Sequence, residues 1–155
     1  MPDDFEFISP TDQPALLGLS SPDFVARTRA ALTELGYKVH TAANHEDFLA
    51  RFHRVHYQVV VIEELFAASE PLENRSLIEL KRLSMAQRRH AVVILLGSYL
   101  QTLNSLQAFQ QSAHAVVNRT ELGSLKLIIQ KAVAENDLFL QIFRDTLLQI
   151  SAWGK

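Results

Sequence analysis

Glu63 and Glu64 stand directly after residues 57–62, a continuously apolar and β-branched run, so two carboxylates sit at the end of what reads as a buried strand. Similar positions, just beyond other apolar runs, hold Ser20, Ser21 and Asp23, then Asn44, then Leu96, Gly97 and Ser98, and finally Asn118 and Arg119. If these runs are parallel strands, ligands bind outside their carboxyl ends, and this is the set in which chemistry is sought. Other chemistries have little support. No G-x-x-x-x-G-K-[ST] or G-x-G-x-x-G segment occurs, and five glycines leave no loop built to cradle phosphate. Ser20, Ser21 and Ser98 lack the G-x-S-x-G setting of a serine nucleophile. His53 and His56 could share a helix face, but zinc needs three or four ligands and no carboxylate is placed beside them, so no metal site is expected. Lys81, Arg82, Arg88, Arg89 and His90 form a basic stretch at the end of a helix, where cations complement the helix dipole without any nucleic acid.

These positions have to be held by elements that alternate along the chain. Apolar runs at 15–19, 38–42, 57–62, 91–96 and 113–117 read as strands. Between them lie helical spacings. Ser21 and Pro22 open one helix, which Gly36 stops; Asn44 caps a second, over about 45–55. A third runs from Leu77 to about Arg89, with Leu80, Leu83 and Met85 inward. A short fourth spans 102–111 with Leu103, Leu106 and Phe109, and a long last helix spans 124–153. Five strands alternating with five helices predict an α/β fold: a five-stranded parallel sheet in the order 2-1-3-4-5, with helices on both faces. Residues 1–13, acidic and proline-broken, read as a flexible lead-in, 14–135 as the domain, and 136–155 as an extension of the last helix.

The rhythm of the five units, the run 57–63 and the run 113–119 resemble the receiver (CheY-like) domain of bacterial response regulators over roughly residues 14–135. The resemblance implies a signalling module. In that family an acidic pair after the first strand holds Mg²⁺, an aspartate after the third takes a phosphoryl group, and a Ser/Thr and a lysine after the fourth and fifth bind its oxygens. Here the phosphoacceptor position holds Glu63, one methylene longer. The acidic pair maps to Leu19-Ser20 or Ser20-Ser21, with Asp23 too late in register. The Ser/Thr maps to Leu96, or to Ser98 with a shift, and the lysine maps to Arg119. Thr120 replaces the family's proline, and Val116 its aromatic residue. Without the metal carboxylates, neither Mg²⁺ nor any other cofactor is expected. The resemblance thus implies a degenerate, non-enzymatic pseudo-receiver that works by binding protein partners. A working phosphoacceptor receiver and a flavodoxin-like small-molecule binder are the alternatives. For Glu63 itself, a fixed ion pair with Arg119 competes with a solvated carboxylate at a strand end.

Composition agrees with a binding module. With 15 basic against 17 acidic side chains, the chain lacks the basic excess of a nucleic-acid binder. No cysteine is present, which excludes thiolate chemistry and disulfides and fits a reducing cytoplasm. No apolar run approaches the ~18 residues of a membrane span.

The extension is the departure from a plain receiver. Phe139, Phe143, Ile150 and Trp153 continue a 3-4 spacing from Leu125, Ile129 and Ala132, while Leu140, Leu147 and Leu148 lie on a second face. That much apolar surface predicts a homodimer interface through Phe139, Phe143, Leu147, Ile150 and Trp153.

Overall fold

A computed structural model describes residues 8–88 and 90–153. The lead-in at 1–7 and the basic Arg89 lie outside the described residues. The strands are β1 (Pro14–Gly18), β2 (Lys38–Thr41), β3 (Val59–Glu63), β4 (Val92–Gly97) and β5 (Ala115–Asn118). All neighbours pair in parallel, in the order β2-β1-β3-β4-β5. The alternation of side chains explains why the strands are apolar throughout. Leu17, Val59, Val61, Ile94, Leu96 and Val117 face a core closed by α1 (Pro22–Glu34) and α6 (Leu125–Trp153). Leu16, Val60, Ile62, Val93, Leu95 and Val116 face a second core under α2 (His45–Arg54), α3 (Arg75–Arg82) and α5 (Ser105–Gln110).

Local signals set the helix ends. The Ser21 hydroxyl accepts the Phe24 N–H and the Asn44 amide oxygen the Asp47 N–H. Gly36 follows α1 at φ 91°, a conformation that costs a residue with a Cβ. Residues 9–13 make contacts with one another and with the start of β2. Asp12 closes a turn on Ser9 and lies 3.8 Å from Lys38.

Two expectations about helices are corrected. The third helix is two: α3 ends at Arg82, followed by Leu83 with an extended backbone, and α4 (Met85–Arg88) starts after Ser84. Ser84 and Gln87 cap one another, with the Gln87 N–H donating to Ser84 Oγ and the Ser84 N–H to Gln87 Oε1. The fourth helix, α5, starts only at Ser105, because Leu103 takes φ 63° and Asn104 caps. Its apolar residues also face outward: Ala108 packs on the sheet, while Leu103, Leu106 and Phe109 are exposed.

The final helix is continuous for 29 residues. Leu125, Ile128, Ile129 and Ala132 are buried under the domain, and residues 141–153 are all exposed.

Candidate functional site at the carboxyl edge of the sheet

Sheet register brings the ends of β1, β3, β4 and β5 to one edge. Gly18 pairs with Ile62, Glu63 with Leu96, and Gly97 with Asn118. Of the residues singled out by sequence, Ser20, Glu63, Ser98 and Arg119 meet at this edge. Ser21 is used up as the cap of α1, and Leu96 is fully buried in the core. Ser98, not Leu96, therefore offers a hydroxyl there.

The Glu63 carboxylate accepts the Ser20 N–H at 3.0 Å. Ser20 does more than its position in the sequence suggests. Its hydroxyl donates to the Leu65 carbonyl at 3.3 Å and accepts the Ala67 N–H at 2.8 Å, pinning the loop after β3 to the end of β1. That loop carries Ala67 at φ 47°, a strained value for a residue with a Cβ. Two further residues hold it. The buried Asn74 amide donates to the carbonyls of both Glu63 and Glu64 while its oxygen caps α3, and His45 bridges Ser76 Oγ and the Ala67 carbonyl. Neither role was read from the sequence. For Asn74 a signal existed, an asparagine just before a helical spacing.

Arg119 does not reach Glu63. It donates to Ser98 Oγ at 3.4 Å, and its guanidinium lies 5.1 Å from the centre of the Phe24 ring. The fixed Glu63–Arg119 ion pair is absent, and Glu63 is a bonded rather than a freely solvated carboxylate.

Glu64 turns across β4. A Cβ on Gly97 would fall 1.8 Å from Glu64 Oε1, so the glycine is the space in which this side chain lies. Burial raises the Glu64 carboxyl above its ordinary range, with Lys81 partly opposing the shift. Glu63, Glu64, Glu70, Ser98, Tyr99 and Arg119 are among the residues around an open cleft of about 290 Å³.

Other candidates resolve elsewhere. His56 stacks on His90, with ring centres 4.5 Å apart, rather than joining His53, and no group of three potential metal ligands occurs among the described residues. Among the described residues, the cations of the basic stretch are engaged within the chain. Arg88 is buried and donates to the carbonyls of Leu80 and Ser112, Lys81 binds Gln111, and Arg82 lies 3.6 Å from Glu79. Among the described residues, no helix is long and apolar enough to cross a membrane.

No family model and no curated protein matches the sequence. Solved structures do. A CheY-like response regulator receiver domain protein from Methanospirillum hungatei aligns at TM-score 0.63 and 17% identity, covering 82% of this chain and 98% of its own. The chemotaxis response regulator CheY4 of Vibrio cholerae aligns at 0.62 and 17%, covering 79% and 99%. The fold is that of a receiver domain. A fusion carrying the trimeric coiled coil of yeast Spc42 aligns at 0.59 and 14%, covering 94% of this chain and 98% of that one. At these identities the likeness is one of fold.

Mg²⁺, which the receiver fold implies, is poorly served by this edge. Residues 18–21 supply a glycine, a buried leucine and two serines. The carboxylates nearby are Glu63, one oxygen of which accepts a backbone N–H, Glu64, turned toward Gly97, and Glu70, which lies in the loop after β3 rather than beside β1. A hard cation that needs several oxygen ligands does not fit this donor set.

Proposed function

We propose that this chain is a pseudo-receiver: a signalling module that acts by phosphorylation-independent protein–protein interaction and forms a homodimer through its last helix. The observation that carries the first part is the use made of Ser20. At the place where a receiver's acidic pair would hold its metal, this chain has a serine that locks the following loop and occupies Glu63. Phosphoryl transfer to a carboxylate needs cations to offset the developing charge; Arg119 is turned toward Ser98 and Phe24, and Lys81 donates to Gln111. The locked loop replaces a switchable one. Protein partners, rather than a phosphoryl donor, are then what the domain responds to.

The second part rests on the extension. Phe139, Phe143, Leu147, Ile150 and Trp153 all stand exposed on one helix beyond the domain, a larger apolar surface than a monomer usually leaves uncovered.

Two measurements test the proposal. Incubation with acetyl phosphate and Mg²⁺, followed by a phosphate-sensitive gel, gives no modified band; a band lost in Glu63→Gln would establish a working phosphoacceptor instead. Light scattering gives a dimer for the full chain and a monomer for Ile150→Lys, a change at an exposed site; a monomeric full chain rejects the dimer. The small-molecule reading keeps one observation in its favour. The cleft beside Glu64 and Tyr99 lies near the lower end, about 300 Å³, of ligand-site volumes.

A further inference from the structure

We infer that the dimer is antiparallel and that each copy's Trp153 seats in a groove on the other copy's receiver domain; this rests on the dimer reading above. The groove, about 310 Å³, lies where α6 leaves the body. Phe109, Ala113, His114, Asn136, Phe139 and Leu140 are among its walls. Three of these residues belong to the exposed helix, so groove and helix face are continuous, with Lys81, Arg88 and Ser112 adding polar atoms to the groove wall.

The direction follows from where the body sits. Leu125, Ile129 and Ala132, which begin the 3-4 seam, are buried under the chain's own sheet and α1. The seam side of the helix root is therefore the side on which the body lies. The mismatch between 3.5 and 3.6 residues per turn, about 20° per heptad, turns the seam only slightly before Phe143. Two helices joined seam to seam in parallel would place both bodies at the same end of the pair, each reaching across the two-fold axis into the space of the other. Run antiparallel, each body lies beyond the far end of the partner's helix.

Register follows from length. Facing seam positions alternate, and the longest pairing that stays clear of the buried root has six layers. Asn136 meets the partner's Trp153, Phe139 the partner's Ile150, and Phe143 the partner's Thr146, each with its symmetric equivalent. Leu140 then flanks the partner's Leu147, which accounts for the second apolar face. At the outer layer the indole stands over Asn136 and enters the groove toward Phe109. The area suffices. Phe139, Phe143 and Trp153 are 56%, 39% and 82% exposed, and Ile142, Leu147 and Ile150 are about half exposed. Together their open surface is on the order of 600 Å² per chain before the groove walls are added, against about 800 Å² per partner in a standard stable interface.

The chain has no cysteine and a single tryptophan, so both halves of the inference can be read in the full-length protein. Phe139→Cys and Ile150→Cys, oxidised with copper phenanthroline, give little cross-linked dimer alone. In their antiparallel pairs like cysteines lie about 17 Å apart, beyond disulfide reach. Mixed and allowed to exchange, the two variants cross-link. Light scattering on the same samples separates the failures. A dimer in which each variant links to itself overturns the antiparallel register and leaves the homodimer standing. A monomer at every concentration overturns both, and a trimer overturns the register. For the groove, Trp153 emission shifts to the blue as dilute protein is concentrated, and Phe109→Glu, at a residue 82% exposed and outside the core, removes most of that shift. A dimer whose emission stays that of open indole overturns the seating of Trp153.

Discussion

Removing one hydroxyl, in Ser20→Ala, tests whether the loop after β3 is locked. Two hydrogen bonds are lost, one donated to Leu65 O and one accepted from the Ala67 N–H. Ser20 is exposed, so water re-solvates the freed groups, and each bond contributes the ordinary net of about 0.5–1.5 kcal/mol. Relief of strain at Ala67 returns part of this, because φ 47° costs roughly 1 kcal/mol and persists only while its surroundings impose it. The expected loss of stability is thus about 1–2 kcal/mol, which lowers Tm by roughly 3–6 °C for a domain of this size. The local effect is larger than the global one. Amide exchange at Ala67 accelerates toward the rate of an open loop, while amides of β3 and β4 keep their protection. Urea unfolding and hydrogen exchange by NMR make both measurements. Full retention of Ala67 protection in Ser20→Ala would refute the latch, whatever happened to Tm. It would also remove the support that the latch gives to loss of switching.

Three further outcomes follow from other parts of the molecule. Arg88→Met leaves the carbonyls of Leu80 and Ser112 without their charged donor and costs about 2–4 kcal/mol in denaturant unfolding, whereas a solvated basic patch would tolerate it. Burial, with His56 adding to it, lowers the pKa of His90, whose Nε2 is buried without a partner. The unfolded chain therefore binds the proton more readily, so this contribution to stability is present above pH ~6.5 and is lost as pH falls below it. His90→Phe flattens the decline in urea midpoint between neutral and mildly acidic pH, and an unchanged slope rejects the assignment. Gly36→Ala meets no atom within 4 Å and loses about 1–2 kcal/mol through backbone conformation alone, a cost absent if the turn can rearrange.

Strand identity was legible because burial on both faces leaves no polar positions in a strand. Residues 59–63 and 92–97 announce themselves for that reason, and the sheet order follows from handedness and connection length. Helix ends were legible where a cap adjoined a clear pattern, as at Ser21 and Asn44. The break at Leu83 was written in Ser84 and Gln87, but a continuous apolar spacing overrode it. The outward face of α5 could not be read, since Leu106 and Phe109 have core-like identities and only packing shows that Ala108 takes the sheet. The site was half legible. Spacing placed Glu63, Ser98 and Arg119 at one edge. The bonds that define their use join residues far apart in the chain, Ser20 with Ala67 and His45 with Ser76, and depend on loop conformation that no spacing encodes.

The unbroken run of α6 from a buried root to an exposed tip makes it a lever. Ala132 is fixed against the sheet, and Trp153 stands about 31 Å farther along the same rod, at 1.5 Å per residue. A tilt of about 10° at the root sweeps the tip by about 5 Å, comparable with the pitch of a helical turn. Any displacement of the buried root is therefore magnified at the exposed tip in proportion to the length of the rod between them.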